Sequence, residues 1–112
     1  MEILNARIER TFLGREDHGI LTFTLGLNTD RYMCQYGGFA LDRENPDGTH
    51  EYYAAGLEAI AKLIEAVGAR SWEDLRGMLV RIAVSDRSVV KIGHILHNTW
   101  VDLREVFKNG EE

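Results

Sequence analysis

Hydrophobic and polar residues alternate through the first part of the chain, and a period of two is typical of half-buried β-strands. Residues 3–12, 21–27 and 32–41 each follow this pattern. Short polar segments at residues 14–19 and 28–30 join the three stretches, so we expect an antiparallel meander. The side chains predicted to share one face are Leu4, Ala6, Ile8 and Phe12 in the first strand, and Leu21, Phe23, Leu25 and Leu27 in the second.

The spacing of the hydrophobic residues changes to three and four after a polar loop predicted at residues 42–50. This spacing predicts one helix over residues 51–67, with Gly68 as its left-handed C-terminal cap. Glu58 and Lys62 are four residues apart, and we expect them to pair on the solvent side. The face expected to pack on the sheet carries Tyr53, Leu57, Ile60, Ile64 and Val67.

The chain after this helix predicts two more strands. A capping-box pattern at residues 71–74 indicates one short helical turn, which Gly77 closes. Residues 80–84 alternate as a fourth strand, and residues 89–96 form a fifth after a tight turn at residues 86–88. Both strands are expected to extend the same antiparallel sheet.

The C-terminal tail predicts a short helix at residues 102–108, with Val106 and Phe107 as docking residues, and a frayed end at residues 109–112. The length suits a single domain, residues 1–112, and the chain has no internal repeat or linker. The predicted fold class is therefore α+β. It is an antiparallel β-sheet in the order βββ-α-ββ, with one main helix packed on it and a short C-terminal helical turn.

Composition narrows the function classes. A hydrophobic fraction of 45% and a charged fraction of 28% are typical of a globular protein. No apolar run approaches the roughly 18 residues of a membrane span, and residues 1–5 lack the features of a secretory signal. Cys34 is the only cysteine, so an intrachain disulfide is excluded and a reducing cytoplasm is expected. Its apolar strand predicts a buried, inert thiol.

The charge of the chain argues against a large surface for polymeric nucleic acid. The net charge is −5, whereas duplex binding depends mostly on lysine and arginine contacts to phosphates. The basic residues are nevertheless ten arginines and three lysines. Because the planar guanidinium binds phosphate in a bidentate manner, the arginines are compatible with a compact pocket for a small phosphorylated ligand. The simpler alternative is that their number reflects sequence composition alone.

A glycine pair, Gly37 and Gly38, interrupts the third predicted strand. Glycine weakens a strand, so a pair indicates a bulge, a bend or the close approach of a ligand or another backbone. Tyr36 and Phe39 flank the pair and offer stacking surfaces, and Gln35 offers a polar group. Two interpretations stay open: a structural bulge with its aromatic residues in the core, or a ligand site.

Metal binding and catalysis find little support in the sequence. His94 and His97 are three residues apart on a predicted strand, which sends them to opposite faces, and His18 and His50 are distant. Asp17 and His18 lie in a predicted turn, where aspartate is common for backbone reasons. We therefore expect neither a metal site nor a cofactor, and the sequence favours binding over catalysis.

The segment at residues 91–102 combines groups that suit a base and a sugar-phosphate ligand. These groups are Lys91, His94, Asn98 and Trp100. The alternative is that Trp100 packs in the core or an interface and residues 98–99 merely form a turn. Arg81 and Arg104 are candidates for phosphate contacts or, alternatively, surface arginines in weak ion pairs.

Short motifs occur in a defined order along almost the whole chain. They are Asn5-Ala6-Arg7-Ile8, Thr11-Phe12-Leu13-Gly14, Glu16-Asp17-His18-Gly19-Ile20-Leu21-Thr22, Tyr36-Gly37-Gly38-Phe39-Ala40-Leu41-Asp42, Val67-Gly68, Ser71-Trp72-Glu73-Asp74-Leu75 and Ile92-Gly93-His94-Ile95 followed by Trp100. In order and spacing, this set resembles the phage Thoeris anti-defence proteins of the first type. The resemblance implies a protein that holds glycocyclic ADP-ribose, the signal of bacterial TIR-domain enzymes, without cleaving it. It also implies a dimer-based assembly, a hexamer in the family, and in some members a site for CBASS cyclic trinucleotides.

The resulting prediction is a non-enzymatic sponge for a cyclic nucleotide signal, acting in the cytoplasm of an infected bacterial host and self-associating. The predicted ligand-binding residues are Gln35, Tyr36, Gly37, Gly38, Phe39, Arg81, Lys91, His94, Asn98, Trp100 and Arg104. The aromatic rings and His94 would stack or pack, the amides would hydrogen-bond, and the cations would face the pyrophosphate. The alternatives are an acidic phage protein that blocks a host nuclease or CRISPR effector, and an enzyme that degrades nucleotide signals.

Overall fold

A computed structural model describes residues 1–16 and 19–110 of the chain. The elements are β1 (Glu2–Glu16), β2 (Ile20–Asn28), β3 (Met33–Ala40), β4 (Asp42–Glu44), β5 (His50–Tyr52), α1 (Ala54–Val67), β6 (Leu79–Ser85), β7 (Ser88–His94), β8 (Trp100–Val101) and α2 (Leu103–Gly110). Six strands form one antiparallel sheet in the order β3-β2-β1-β6-β7-β8, and β4 and β5 form a separate two-stranded ribbon. The predicted α+β class is confirmed, with three short strands, β4, β5 and β8, added to the predicted order.

The first three strands form the predicted meander, but the first connection is shorter than expected. Instead of turning at Gly14, β1 continues to Glu16, which pairs with Ile20. Asp17 and His18, to which the sequence assigned a turn, lie outside the described residues. In β2 the predicted alternation is confirmed, since Phe23, Leu25 and Leu27 are fully buried.

Phe12 was expected to share the buried face of Leu4, Ala6 and Ile8, and this prediction is wrong. The pairing of β1 with β2 shifts between Ile8 and Arg10, which marks a β-bulge. An extra residue reverses the alternation beyond it, because side chains repeat on one face every two residues. Phe12 is therefore paired with Thr24 on the outer face and is 37% exposed.

The glycine pair forms a bulge, in agreement with the structural interpretation of the sequence. Gly37 and Gly38 have φ angles of +119° and +81°, and the pairing of β3 with β2 shifts between Thr22 and Thr24. A Cβ atom on Gly37 would lie 2.5 Å from the carbonyl oxygen of Phe23. A side chain at Gly37 would therefore force the two strands apart.

The predicted loop at residues 42–50 contains regular structure that the sequence did not reveal. Asp42 pairs with Tyr52 and Glu44 with His50, so β4 and β5 form a small hairpin. Its tip is held by hydrogen bonds between Asn45 and Thr49. The strands have three residues each, too short for alternation to identify them.

Helix α1 begins at Ala54, three residues later than predicted, while its end is as predicted. Gly68 adopts the left-handed cap conformation, with φ +83°. Glu58 and Lys62 form the expected ion pair at 3.0 Å. The backbone of Tyr53 is extended, which explains why the helix does not start earlier.

The predicted core face of α1 is only partly correct: Val67 is buried and Ile60 packs against the core as expected, but the buried side is rotated away from Leu57. Leu57 is 74% exposed, whereas Ala59 and Leu63 are fully buried. The buried side of the helix is rich in small residues: Ala55, Gly56, Ala59, Leu63, Ala66 and Val67. Small side chains let a helix approach its neighbours closely, and a Cβ atom on Gly56 would lie 3.3 Å from the side chain of Leu41.

The C-terminal part follows the prediction with differences at its ends. The Ser71 hydroxyl accepts a hydrogen bond from the Asp74 N–H at 3.2 Å before the short helical turn. β7 ends at His94 rather than residue 96, because the chain loops back and pairs Trp100 with Gly93. Val106 is buried as expected, and α2 extends to Gly110, two residues beyond the predicted helix; residues 111–112 lie outside the described part.

The sheet curls so that its edge strand β3 approaches β7, although three strands separate them in the sheet order. The Tyr36 hydroxyl bridges the gap: it donates to the Val90 carbonyl oxygen at 3.4 Å and accepts from the Leu103 N–H at 3.0 Å. The core lies between the inner face of the sheet and the two helices. In the described part of the chain, neither helix is long and apolar enough to cross a membrane.

Candidate functional site

The residues predicted to bind a ligand fall into two groups near opposite edges of the sheet. The first group lies on β3 and the start of α2: Gln35, Tyr36, Gly37, Gly38, Phe39 and Arg104. The second lies near β8: Arg81, Lys91, Asn98 and Trp100 are in contact with one another, while the ring of His94 lies against Gly68 at the end of α1. The curled sheet brings β3 close to β7, but none of the four cavities described below is lined by residues of both groups, so they form two separate candidate sites within a single copy of the chain.

A cleft lies beside β3, where the curled edge of the sheet faces the turn between β6 and β7. It consists of two adjoining cavities of about 410 and 350 Å³, which share Met33, Cys34 and Arg87 as lining residues. The smaller cavity is also lined by Gln35, Tyr36, Gly37, Phe39 and Arg104. We call the two cavities together the β3 cleft. Their volumes fall in the range of about 300–1,000 Å³ that is usual for small-molecule sites.

The aromatic residues beside the glycine pair form one wall of the β3 cleft. Tyr36 is only 5% exposed, and burial raises the pKa of its hydroxyl to about 12. Phe39 is half-buried; it meets Tyr36 edge-on at 6.4 Å and stacks on Phe107 at 5.0 Å between ring centroids. These contacts make the wall rigid and leave the exposed part of Phe39 as its apolar surface.

Cys34 lies half-buried beside the same cleft. Burial raises the pKa of its thiol, so the neutral thiol predominates at neutral pH. The raised pKa agrees with the expected inert thiol, but the expected burial is wrong, because Cys34 is only half-buried. Its contribution to the cleft is a small apolar surface next to Met33.

Arg104 enters the cleft already paired with an acid. Its Nε donates to Asp102 Oδ1 at 3.2 Å, and a terminal nitrogen donates to Oδ2 at 3.0 Å. The hydrogen bonds raise the pKa of Arg104 and lower that of Asp102. The Arg104 side chain is 63% exposed, so a ligand phosphate can reach it but must compete with the carboxylate.

Arg87 lines both cavities of the cleft, and the sequence assigned it only to a tight turn. Asp86 and Arg87 have φ angles of +51° and +65°, in the left-handed region. Across residues 1–16 and 19–110, none of the ion pairs involves Arg87. The signal available in the sequence was an arginine at a turn position that glycine usually occupies.

The second group is organised around the indole ring of Trp100. The ring lies against Gly93, where an added Cβ atom would be 2.7 Å from indole Cδ2. The Arg81 guanidinium carbon and Lys91 Nζ each lie 4.9 Å from the ring centroid, within cation–π range. The indole N–H donates to the Asn98 side-chain oxygen at 3.1 Å. We call these residues the Trp100 cluster.

Arg81 holds the loop that follows β7. It donates hydrogen bonds to the carbonyl oxygens of His94 and His97, both at 2.8 Å. These two hydrogen bonds and the packing of the guanidinium over Trp100 occupy much of the Arg81 side chain in contacts within the protein. Arg81 therefore positions the loop, and its remaining surface is what a ligand would meet.

His94 and His97 lie side by side, with ring centroids 4.3 Å apart, so the prediction that they point to opposite faces is wrong. The reason is that β7 ends at His94 and the following loop folds back. His94 Nδ1 accepts the N–H groups of Leu96 and His97 at 2.9 and 3.0 Å. Across the described residues, no three His, Cys, Asp or Glu side chains are grouped to hold a metal ion.

Two further cavities adjoin predicted residues. One of about 400 Å³ lies on the outer face of the meander and is lined by Gln35, Arg10 and Phe12 among others. Another of about 420 Å³ lies between α1 and the Trp100 cluster and includes Asn98 and Trp100. Gln35 thus faces both this outer cavity and the β3 cleft.

A buried carboxylate that the sequence did not single out joins the small hairpin to the sheet. The Asp42 side chain is fully buried and accepts from the Leu21 N–H at 2.8 Å, His50 at 2.9 Å and Arg15 at 3.2 Å. Burial alone raises its pKa, but these hydrogen bonds outweigh burial and hold the pKa below its usual range. The network is structural, since every oxygen contact anchors a neighbouring element.

Comparison with known proteins gives no match: no family model fits the chain, and no curated protein or solved structure is significantly similar to it.

Proposed function

We propose that this protein binds glycocyclic ADP-ribose, the signal of TIR-domain immune enzymes, and sequesters it without degrading it. The proposed site is the β3 cleft. Its aromatic wall offers packing surface to a base or ribose, and Arg87 and Arg104 offer positive charge to the pyrophosphate. In this proposal the protein is a phage anti-defence protein that acts in the cytoplasm of the infected bacterium.

One observation carries the proposal: two adjoining cavities of nucleotide size lie where the sequence motif with the glycine pair meets two arginines. The bulge at Gly37 and the ring contacts of Tyr36 and Phe39 hold this wall in place. A preformed, rigid site lowers the entropic cost of binding, which favours the slow release that sequestration requires.

The alternative of an acidic inhibitor that occupies the nucleic-acid channel of a nuclease or CRISPR effector predicts a clustered acidic face and no ligand-sized cleft. The β3 cleft favours the first proposal over it. A third candidate, an enzyme that degrades the signal, is separated from sequestration by the experiment below.

The test is to incubate the purified protein with glycocyclic ADP-ribose, remove unbound ligand by filtration, denature the retained protein with heat and analyse both fractions by mass spectrometry. We expect the ligand to be retained and then released intact. Arg104→Ala is expected to retain less ligand, while Arg70→Ala, which removes an exposed arginine outside the described cavities, serves as the matched control.

Ligand that passes freely through the filter would overturn the proposal for this signal. Products that accumulate with time would show degradation instead of sequestration. The same protocol with CBASS cyclic trinucleotides tests the second ligand class, and Trp100→Ala then tests whether the Trp100 cluster takes part.

We further propose that the protein self-associates through dimers, as the resemblance implies. A domain of 112 residues encloses little volume, so a site completed by a second copy would cover more of a dinucleotide.

A further inference from the structure

Arg87 lies in the hairpin turn between β6 and β7 and lines both cavities of the β3 cleft. Ser85 pairs with Ser88, so Asp86 and Arg87 form a two-residue turn. The turn belongs to the part of the sheet that the curled β3 edge approaches. The turn therefore fixes the backbone of Arg87 beside the two cavities that the residue lines.

The backbone at this turn is one that glycine adopts most easily. Both Asp86 and Arg87 have positive φ, and tight hairpin turns of this kind are usually Asn-Gly or Asp-Gly, because a Cβ atom is unfavourable there. An arginine at the second position costs conformational energy that glycine would not. Strain of this kind is often found at ligand-binding positions.

The other predicted cations are engaged within the protein. Arg104 holds Asp102 in a two-point contact, and Arg81 donates to two carbonyl oxygens near the opposite edge of the sheet. An anion that approaches Arg104 meets a guanidinium whose charge Asp102 already balances and must compete with that carboxylate. No carboxylate within the described ranges forms an ion pair with Arg87, so there is no such competition there.

We propose that Arg87 is the main phosphate-anchoring residue of the β3 cleft and contributes more to affinity than Arg104. This inference rests on the proposed function and names the residue that gives the site its specificity for a pyrophosphate. The planar guanidinium binds phosphate oxygens through two parallel N–H donors, and Arg104 adds a second, weaker contact.

The test compares Arg87→Gly with Asp86→Gly. Each variant places glycine at a residue with positive φ, so both are expected to melt at or above the temperature of the unchanged protein. Isothermal titration with glycocyclic ADP-ribose should show affinity weakened by roughly 10- to 100-fold in Arg87→Gly, the cost of a lost charge-assisted contact. Asp86→Gly should bind as before, and Arg104→Ala should lose less than Arg87→Gly.

Equal affinity in Arg87→Gly and the unchanged protein would overturn this inference and leave the proposed function standing. If the unchanged protein does not bind glycocyclic ADP-ribose, the proposed function fails. Inorganic pyrophosphate then tests Arg87 separately, by NMR titration of the backbone amides. Shifts at Arg87 and Ser88 that disappear in Arg87→Gly would support an anion site at this turn, and the absence of shifts would overturn it.

Discussion

Asp42 joins parts of the chain that are far apart in sequence. Its buried carboxylate contacts the backbone of β2, the Arg15 side chain at the end of β1 and His50 at the start of β5. Arg15 in turn donates to the Tyr52 hydroxyl at 3.1 Å, so the small hairpin is held from two sides. A buried acceptor of this kind is costly to lose, because its donors are left without a partner.

We expect Asp42→Asn to lower the free energy of unfolding at pH 7 by about 1–3 kcal/mol, since the charge and one acceptor oxygen are lost. The pKa of Asp42 is lowered in the folded state, so its stabilisation is present above the ordinary value of 3.8 and is lost as the pH falls through the folded pKa. The difference between the two proteins should therefore shrink in acid.

Urea denaturation at several pH values between 7 and 3 measures this difference. Glu65→Gln, at an exposed position on α1, is the control and should differ little from the unchanged protein. A difference for Asp42→Asn that stays constant down to pH 3 would show that the charge of Asp42 contributes nothing.

At the scale of single elements, α1 shows what hydrophobic spacing leaves open. The spacing of three and four fits two overlapping faces, one with Leu57 and one with Ala59 and Leu63. The face with the smaller residues is the buried one, because the helix packs closely against Leu41 and the sheet. Bulk and hydrophobicity alone favour the other face, which explains why the sequence placed Leu57 in the core.

The two faces are distinguished by a matched pair of leucines. Leu63→Ala should lower the free energy of unfolding by about 2–5 kcal/mol, because Leu63 is fully buried. Leu57→Ala should change it by less than about 0.5 kcal/mol, because Leu57 is 74% exposed. Urea denaturation of both variants measures these two free-energy changes. A larger loss for Leu57→Ala than for Leu63→Ala would show that the face predicted from the sequence is the buried one.

On the scale of the whole molecule, the sheet is covered unequally. Leu4 and Ile82 face the core, so the residues that alternate with them in β1 and β6 lie on the outer face. Among those, Ile3 is 50% and Leu79 48% exposed. Exposed apolar residues on the outer face of a sheet are typical of surfaces that bind another protein, which agrees with the proposed self-association.

We expect light scattering coupled to size-exclusion chromatography to give a mass of two or six copies of the 12.7 kDa chain. Ile3→Lys, which places a charge on the outer sheet face, should lower that mass. Leu57→Lys, which changes an exposed leucine on the helical side, should not. A mass of one chain for the unchanged protein at high concentration would contradict self-association.

The candidate site was predictable only in part. The glycine pair indicated a bulge or a ligand site on β3. The bulge and the aromatic wall lie there, because glycine and aromatic residues have strong local conformational and packing preferences. Arg87 was missed because a tight turn explains its neighbourhood without any ligand. The ion pair of Arg104 with Asp102 joins residues that are two apart in the sequence. The cleft beside this pair is lined by segments that are distant in the sequence, so the sequence did not reveal it.

The alternation of β2 and β6 and the left-handed cap at Gly68 depend on neighbouring residues, and the sequence was sufficient to predict them; at Gly37 it left a bulge and a ligand site open, and the structure shows the bulge. Which face of α1 is buried, and the approach of β3 to β7 through the Tyr36 hydroxyl, follow only from tertiary contacts. Curling of the sheet and close helix packing depend on contacts between distant segments. A local period carries no information about them, so the β3 cleft exists only in the folded chain.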